Sequence, residues 1–367
     1  MTAYILRRLL LMIPTLVGVM TINFFIIQFA PGGPVEQVIA QLRGTAVDAT
    51  ARISGAGGDV GGAARPSAGA GGGDTLRYRG AQGLDPEFIK ELERQFGFDQ
   101  PIHIRYVRMM KDFARFRFGK SYYRDQNVLQ LIREKMPVSI SLGLWSTLLI
   151  YLISIPLGIR KALRDGSAFD AWTSAVVVAG NAIPSFLFGI ALVIFFAGGR
   201  YVQWFPLQGL TSEHWDALSP LGKALDYAWH LVLPVLTMTI GGFATLTMLT
   251  KNSFIDQIHQ QYVMTAYAKG LTERQVLYRH VFRNAMLIVI SSFPSVLIMT
   301  LFTGSVLIEV IFGLDGIGLL GFEAALKRDY PVMLGSLFIF QLLGLLLTLV
   351  SDLMYTLIDP RIDFEKR

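Results

Sequence analysis

Residues Tyr262 to Ala285 read YVMTAYAKGLTERQVLYRHVFRNA, a polar stretch of 24 residues wedged between two long apolar runs. Its pattern is helix, break, helix. Ala266, Ala268 and Lys269 are good helix formers, Gly270 suits the left-handed position that ends a helix, and Thr272 with Glu273 opens a second one. The spacing predicts two short helices at a sharp angle, standing on a membrane face.

That face follows from the rest of the chain. Of 367 residues 52% are hydrophobic and 16% charged, and the mean hydropathy is +0.47, too apolar for an ordinary soluble domain of this size. The chain has no cysteine, which excludes disulfides, thiolate catalysis and zinc–sulfur sites. Its net charge of +6 sits mostly beside apolar runs, so it reports membrane topology rather than a nucleic-acid partner. Arg7 and Arg8 precede an uncharged run from Leu9 to Val35, longer than the ~20 residues that cross a bilayer, and we read it as an uncleaved first span. Further uncharged runs are Met136 to Ile159, Ala171 to Gly199, Leu231 to Thr250, Asn284 to Ile308 and Tyr330 to Ser351. The expectation is an all-α polytopic membrane protein with six transmembrane helices and both termini on one side. The connections on the side of Tyr262–Ala285 carry 13 Lys and Arg against four in the opposite short loops, which places that stretch and both termini in the cytoplasm.

The chain then divides into a first span over 1–30, an extracytoplasmic region over 31–138 and a core of five spans over 139–367, with the polar loop at 251–284. Within 31–138 a Gly/Ala-rich insertion occupies 44–83. Nine of the twenty residues from Ser54 to Gly73 are Gly, and such a tract cannot bury enough apolar surface to offset its ordering entropy. Helices are expected from Asp85 to Phe96, from Pro101 to Phe116 and from Val128 to Lys135, with Pro137 marking entry into the second span. The region holds 16 Lys and Arg, several beside aromatics (Arg105-Tyr106, Tyr122-Tyr123-Arg124). Outside the cytoplasm this pairing reads as an interfacial surface, arginine toward headgroups, or as a contact for an extracytoplasmic binding protein.

Tyr262, Thr265-Ala266, Ala268-Lys269-Gly270-Leu271, Val276, His280 and Arg283-Asn284-Ala285 resemble the cytoplasmic "EAA" loop of ABC importer permeases of the oligopeptide, dipeptide and nickel branch. Met264 and Thr265 replace the loop's namesake Glu and first Ala. Further matches are Phe96-Gly97-Phe98-Asp99-Gln100-Pro101, Trp204-Phe205-Pro206, His230 to Pro234, and Gly304, Glu309, Ile311-Phe312 and Gly316-Ile317-Gly318, although Asp315 stands where the family usually has Pro. The opening RRLLLMIPTLVGVMTINFFIIQFAPGGPVEQ is most similar to B-type permeases of Yej-type peptide and microcin C importers. The resemblance implies a bacterial inner-membrane permease that pairs with a second, homologous permease and receives peptides from an extracytoplasmic binding protein. It also implies two ATPase modules, fused or separate, which use ATP and Mg; this chain would hold no cofactor of its own. Within the loop it implies ATPase coupling by Tyr262, Thr265, Ala266, Tyr267, Lys269, Gly270, His280 and Arg283.

No catalytic or metal constellation is visible: there is no H-E-x-x-H, G-x-S-x-G or Walker A pattern, and the five histidines are dispersed. Polar groups inside spans are better leads, because unpaired ones are costly in hydrocarbon. Candidates for a substrate pathway are Asn181, beside the interruption at Pro184-Ser185, then Ser291, Ser292, Ser295, Thr300 and Thr303, and Glu309 at the outer edge of the fifth span. A serine or threonine can instead bond back to its own helix, and Glu309 can cap the following turn. A secondary transporter would need acidic residues deep in several spans and inverted repeats, neither of which is visible. A membrane-anchored receptor or scaffold would need an ordered soluble domain.

Overall fold

The structure, a computed structural model, describes residues 2–29, 35, 38, 39, 87, 90, 94, 98–198, 201–302 and 305–358. The insertion over 44–83, most of the helix expected from Asp85 to Phe96, Thr303 and the segment after Ile358 lie outside the described residues. Those described are almost wholly helical, with one isolated bridge between Lys120 and Asn127 and no strand. Five helices are long and apolar enough to cross a bilayer: Tyr4–Phe29, Val128–Leu163, Pro220–Ile258, Glu273–Ile298 and Tyr330–Met354. A pair, Ala168–Ala182 and Ser185–Phe196, meets at 92° and makes a sixth if it is one span.

The chain divides into two compact units. The first comprises Met1–Arg8, Met136–Gly318 and Leu343–Arg367, the second Leu9–Lys135 and Leu319–Leu342. We number the helices α1 (Thr2–Phe29), α2 (Ile102–Phe113), α3 (Val128–Leu163), α4 (Ala168–Ala182), α5 (Ser185–Phe196), α6 (Pro220–Ile258), α7 (Gln261–Ala268), α8 (Glu273–Val276), α9 (Phe282–Ser291), α10 (Phe293–Phe302), α11 (Ser305–Ile311), α12 (Ile317–Lys327) and α13 (Tyr330–Ile358).

Several boundaries differ from expectation for local reasons. α3 is continuous from Val128 through Pro137 and Pro156, so no break marks entry into the second span. The third run breaks at Ile183-Pro184, where the residue before proline is driven out of the helical region: Ile183 has φ −84° and ψ 120°. The fifth run is interrupted at Ser292, and Pro294 falls in the first turn of α10, where a missing N–H costs nothing. α6 starts on Ser219, whose hydroxyl accepts from Gly222 N at 3.2 Å, with Pro220 at the first helical position.

In the first unit α3 and α6 approach closely. A Cβ at Gly158 would stand 2.6 Å from Thr250 Cβ, and Ser154 Oγ donates to the Phe243 carbonyl at 3.1 Å. Small residues at such a crossing let backbones meet, which suits helices whose association lacks a water-driven term. Thr237, Thr239 and Thr250 are buried on α6 and return their hydroxyls to their own i−4 carbonyls at 2.7–2.8 Å. Between the end of α3, the start of α4 and Lys251 of α6 lies a charge cluster. Lys161 is fully buried; its Nζ lies 2.9 Å from Asp170 Oδ1 and also donates to Thr173 Oγ1 and Ser174 Oγ. Lys251 bridges Asp170 Oδ2 at 2.7 Å and Asp165 Oδ1 at 2.8 Å.

The second unit is held by aromatics and by the carboxylates of Asp329 and Glu323, the latter 2.8 Å from Arg124 Nη2. The rings of Phe113, Phe116 and Phe118 surround Phe338 at 5.5–5.9 Å. A turn closed by Ser121 N to Gln126 O (2.9 Å) and Val128 N to Gly119 O (3.1 Å) leads into α3. It is tied to Asp329, whose carboxylate accepts from Ser121 Oγ and from Tyr122 N. Burial raises the Asp329 carboxyl above the usual carboxylate range, against the pull of these donors.

Candidate functional site

The polar stretch is assembled by two local motifs. α7 ends with Lys269 as its cap and Gly270 at φ +81°. Gly270 N donates to Tyr267 O at 2.9 Å and Leu271 N to Ala266 O at 3.3 Å, the pair of bonds that defines a Schellman stop. Two residues later Thr272 caps α8 in a reciprocal box: Gln275 N donates to Thr272 Oγ1 at 3.4 Å, and Thr272 N to Gln275 Oε1 at 3.0 Å. α8 lasts one turn and passes into a π-helical turn, Leu277–Val281, before α9.

This element has an anchored side and a free one. Val263, Ala266, Val276, Leu277, Val281 and Ala285 are buried in a core with Ile150, Leu246 and Phe254 from α3 and α6. Ser253 Oγ on α6 also donates to the Ala285 carbonyl at 2.7 Å. Met264, Tyr267 and Tyr278 stand exposed at 70%, 47% and 58%. Burial of six apolar side chains, at roughly 1.5–3 kcal/mol for each larger one, fixes the element while three large side chains face outward. Thr272, Arg274, Gln275, Tyr278 and Arg279 line a shallow cationic hollow of about 340 Å³.

Of the residues expected to couple, Thr265, Tyr267, Lys269, Gly270 and Arg283 are exposed and Tyr262 and His280 half-buried. Ala266 is buried and belongs to the anchor. Tyr262 is held by its hydroxyl, which donates to Gln257 Oε1 at 2.9 Å. The sequence alone assigns no coupling role to Met264, Tyr278 or the Arg274–Arg279 hollow, although Arg274, Tyr278 and Arg279 recur at a spacing of four and one residues, enough to bring them together on one side.

Among the described residues the pathway candidates differ in exposure and partners. Ser291 is buried; its hydroxyl returns to Ile288 O at 3.0 Å and its carbonyl accepts from Ser351 Oγ at 3.2 Å. Ser292 is half-buried, bonding back to Val289 O and pairing with the Tyr151 hydroxyl at 2.9 Å. Ser295 is exposed, Thr300 lies in α10, and Asn181 is exposed one residue before the end of α4. Glu309 is fully buried and accepts from Ser139 Oγ at 3.1 Å, and the same hydroxyl accepts from Ile317 N at 2.9 Å. Its carboxylate lies under the turn at Gly316, where an added Cβ would stand 2.3 Å from Oε1.

Residues 154–364 match the family described as "Binding-protein-dependent transport system inner membrane component". Over the full length of both chains the protein is 59% identical to the "Peptidoglycan transport system permease protein YejB" of Agrobacterium fabrum. It is 58% identical, again over the whole of each, to the "Inner membrane ABC transporter permease protein YejB" of Escherichia coli. It is 31% identical to the "Oligopeptide transport system permease protein AppB" of Bacillus subtilis, covering 99% of this chain and 100% of that one. The matched family region takes in the bent pair, α6, the anchored polar element and the last apolar helix. The chain therefore belongs to the binding-protein-dependent inner-membrane components, as a multi-pass ABC transporter permease and not an enzyme.

Proposed function

We propose that this chain is the permease subunit of a peptide importer, forming the translocation path with a second, homologous permease. Six spans, counting the bent pair as the third, put both termini in the cytoplasm. An extracytoplasmic binding protein delivers the cargo, and two ATPase modules, fused or separate, supply energy from ATP and Mg. Relatives matched end to end are named for peptidoglycan and for oligopeptide transport, so peptides and peptide-bearing cell-wall fragments are the cargo class. Asn181, Ser295, Thr300 and Thr303 remain pathway candidates; Ser291, Ser292 and Glu309 act through helix packing.

The observation that carries this reading is the polar element itself. An anchored base and outward Met264, Tyr267 and Tyr278 make a rigid knob, which can pass the movement of a docked ATPase to α6 and α9 without absorbing it. Thr265, Lys269 and Arg283 flank the knob. The test is a series at Gly270, where an added Cβ meets nothing within 4 Å, so a substitution acts on the backbone alone. Valine there costs about 1–2 kcal/mol of left-handed strain, and asparagine less. Gly270→Val is expected to weaken ATPase docking or to release ATP turnover from peptide movement, with Gly270→Asn near wild type. Peptide-stimulated ATPase activity of the reconstituted complex is read beside uptake in cells. Wild-type coupling in Gly270→Val, with normal subunit recovery, refutes the reading.

A further inference from the structure

The second unit contains a cavity of about 300 Å³ between the outer half of α1, α2 and the start of α13. We propose that it is a headgroup site for an anionic phospholipid, whose phosphate is held by Arg108 and Arg117. From Ile102 to Phe118 the chain carries His103, Arg105, Arg108, Lys111, Arg115 and Arg117 against a single acid, Asp112. The same segment leaves Ile102, Ile104 and Val107 exposed at 47%, 43% and 46%. A helix that mixes cations with uncovered aliphatic side chains lies in the membrane interface, its apolar groups among acyl chains and its cations at headgroup level.

Within the cavity the three arginines differ. Arg105 is committed: its Nη2 donates to Gln28 Oε1 at 2.7 Å, and its guanidinium lies 4.2 Å from the centroid of the Phe98 ring. Arg108 and Arg117 line the same space and make no hydrogen bond or ion pair with their side chains among the described residues. Asp112 also lines it, which leaves three guanidiniums facing one carboxylate. A guanidinium fork matches two phosphate oxygens at once, so two forks with no side-chain partner among the described residues suit a phosphodiester. The apolar wall is Phe24 and Ile27, part of a helix apolar enough to cross the bilayer, so acyl chains can continue along it.

A peptide carboxylate would satisfy the same forks. It would also leave Ile102, Ile104 and Val107 in water, whereas a lipid covers them. That difference favours the lipid.

The test is native mass spectrometry of the full chain in detergent, with added phosphatidylglycerol or phosphatidylcholine. Wild type is expected to retain one phosphatidylglycerol in preference to phosphatidylcholine. R108Q/R117Q is expected to lower that occupancy by about tenfold or more, because it removes both guanidinium forks that grip the phosphate. K111Q/R115Q removes the same charge from residues that do not line the cavity and is expected to lose about threefold or less. Equal losses in the two pairs indicate diffuse charge and overturn the proposal, as does equal retention of the two lipids. Trialanine or inorganic phosphate bound in an Arg108- and Arg117-dependent way, with no phosphatidylglycerol retained, makes this a site for a soluble anion and also overturns it. If R108Q/R117Q does not purify as a monodisperse species, R108K/R117K keeps the charge and loses the forks. A measurable loss of phosphatidylglycerol is expected there too, and none overturns the proposal.

Discussion

Replacing Asp170 by asparagine tests how buried charge in the first unit is balanced. Its carboxylate is shared by two ammonium groups, Lys161 at 2.9 Å and Lys251 at 2.7 Å, and the backbone N–H of Gly166 donates to it as well. The two lysines are not equivalent. Lys251 keeps Asp165 at 2.8 Å, a half-exposed partner. Lys161 has no solvent exposure and, without Asp170, retains only neutral acceptors: the Asp170 carbonyl at 3.0 Å, Thr173 Oγ1 at 2.9 Å and Ser174 Oγ at 2.7 Å. Removing one member of a buried pair strands the other, and the cost is roughly 3–5 kcal/mol. Asp165→Asn removes a half-exposed carboxylate and leaves Lys251 paired with Asp170, so it should cost about 1 kcal/mol or less. Lys161→Met combined with Asp170→Asn removes the stranded charge and should recover most of the loss. The assay is the melting midpoint of detergent-purified protein by fluorescence-detected size exclusion, at one heating rate because unfolding of such proteins is commonly irreversible. The expected order is wild type, Asp165→Asn, the double variant, then Asp170→Asn well below. If Asp170→Asn melts with Asp165→Asn, or the double variant falls as far as the single, pairing is not what holds Lys161 in the interior.

Other expectations concern orientation, packing and pH. Cysteines at Arg164 and Arg274, both exposed, should resist an impermeant thiol reagent in whole cells while one at Gln208 labels, and labelling at Arg274 reverses the orientation. Lys161 would be a poor probe position because it is buried. Gly316→Ala should lower the melting midpoint by the equivalent of about 1–3 kcal/mol, since its Cβ would displace the Glu309 carboxylate; an unchanged midpoint would mean that the turn yields freely. The raised Asp329 carboxyl binds its proton more tightly in the folded chain, so its contribution to stability is fullest below the ordinary carboxylate range and is lost as pH rises through the elevated value. Asp329→Asn should flatten that part of a melting-midpoint profile against pH, and an identical profile would assign the dependence elsewhere.

What could be read in advance was what is decided within a few residues. The stop at Gly270 and the start at Thr272 are set by bonds spanning three to five positions, so Lys-Gly-Leu-Thr-Glu contained them. The capping partner Gln275 was equally local, three residues after Thr272, and was overlooked. Pro184 announced a break but not its 92° angle, because the angle depends on what α4 and α5 pack against. Lys161 is one of the 13 Lys and Arg whose count sets the orientation, and that count says nothing of burial. Its burial requires Asp170, Thr173 and Ser174 of the next helix, a pairing that charge counting does not see. For Glu309 the sequence allows both a substrate-facing role and a cap on the following turn. The deciding neighbours, Ser139 on α3 and Gly316, lie 170 residues before it and in the loop that follows.

The π-helical turn Leu277–Val281 separates the outward-facing knob from the apolar length of α9. A π-turn holds one residue more than the α-helix it interrupts, and each residue of an α-helix advances the side-chain direction by about 100°. The turn is thus a phase slip: what lies before it and what lies after it point along faces that one regular helix would not present together. Tyr278 can project outward within the slip while Leu277 and Val281 point in, and the following span keeps its own apolar stripe. A one-residue deletion there would restore regular winding and rotate either the knob or the span by more than a quarter turn. Length at this point is therefore a tighter constraint on the chain than the identity of any side chain in it.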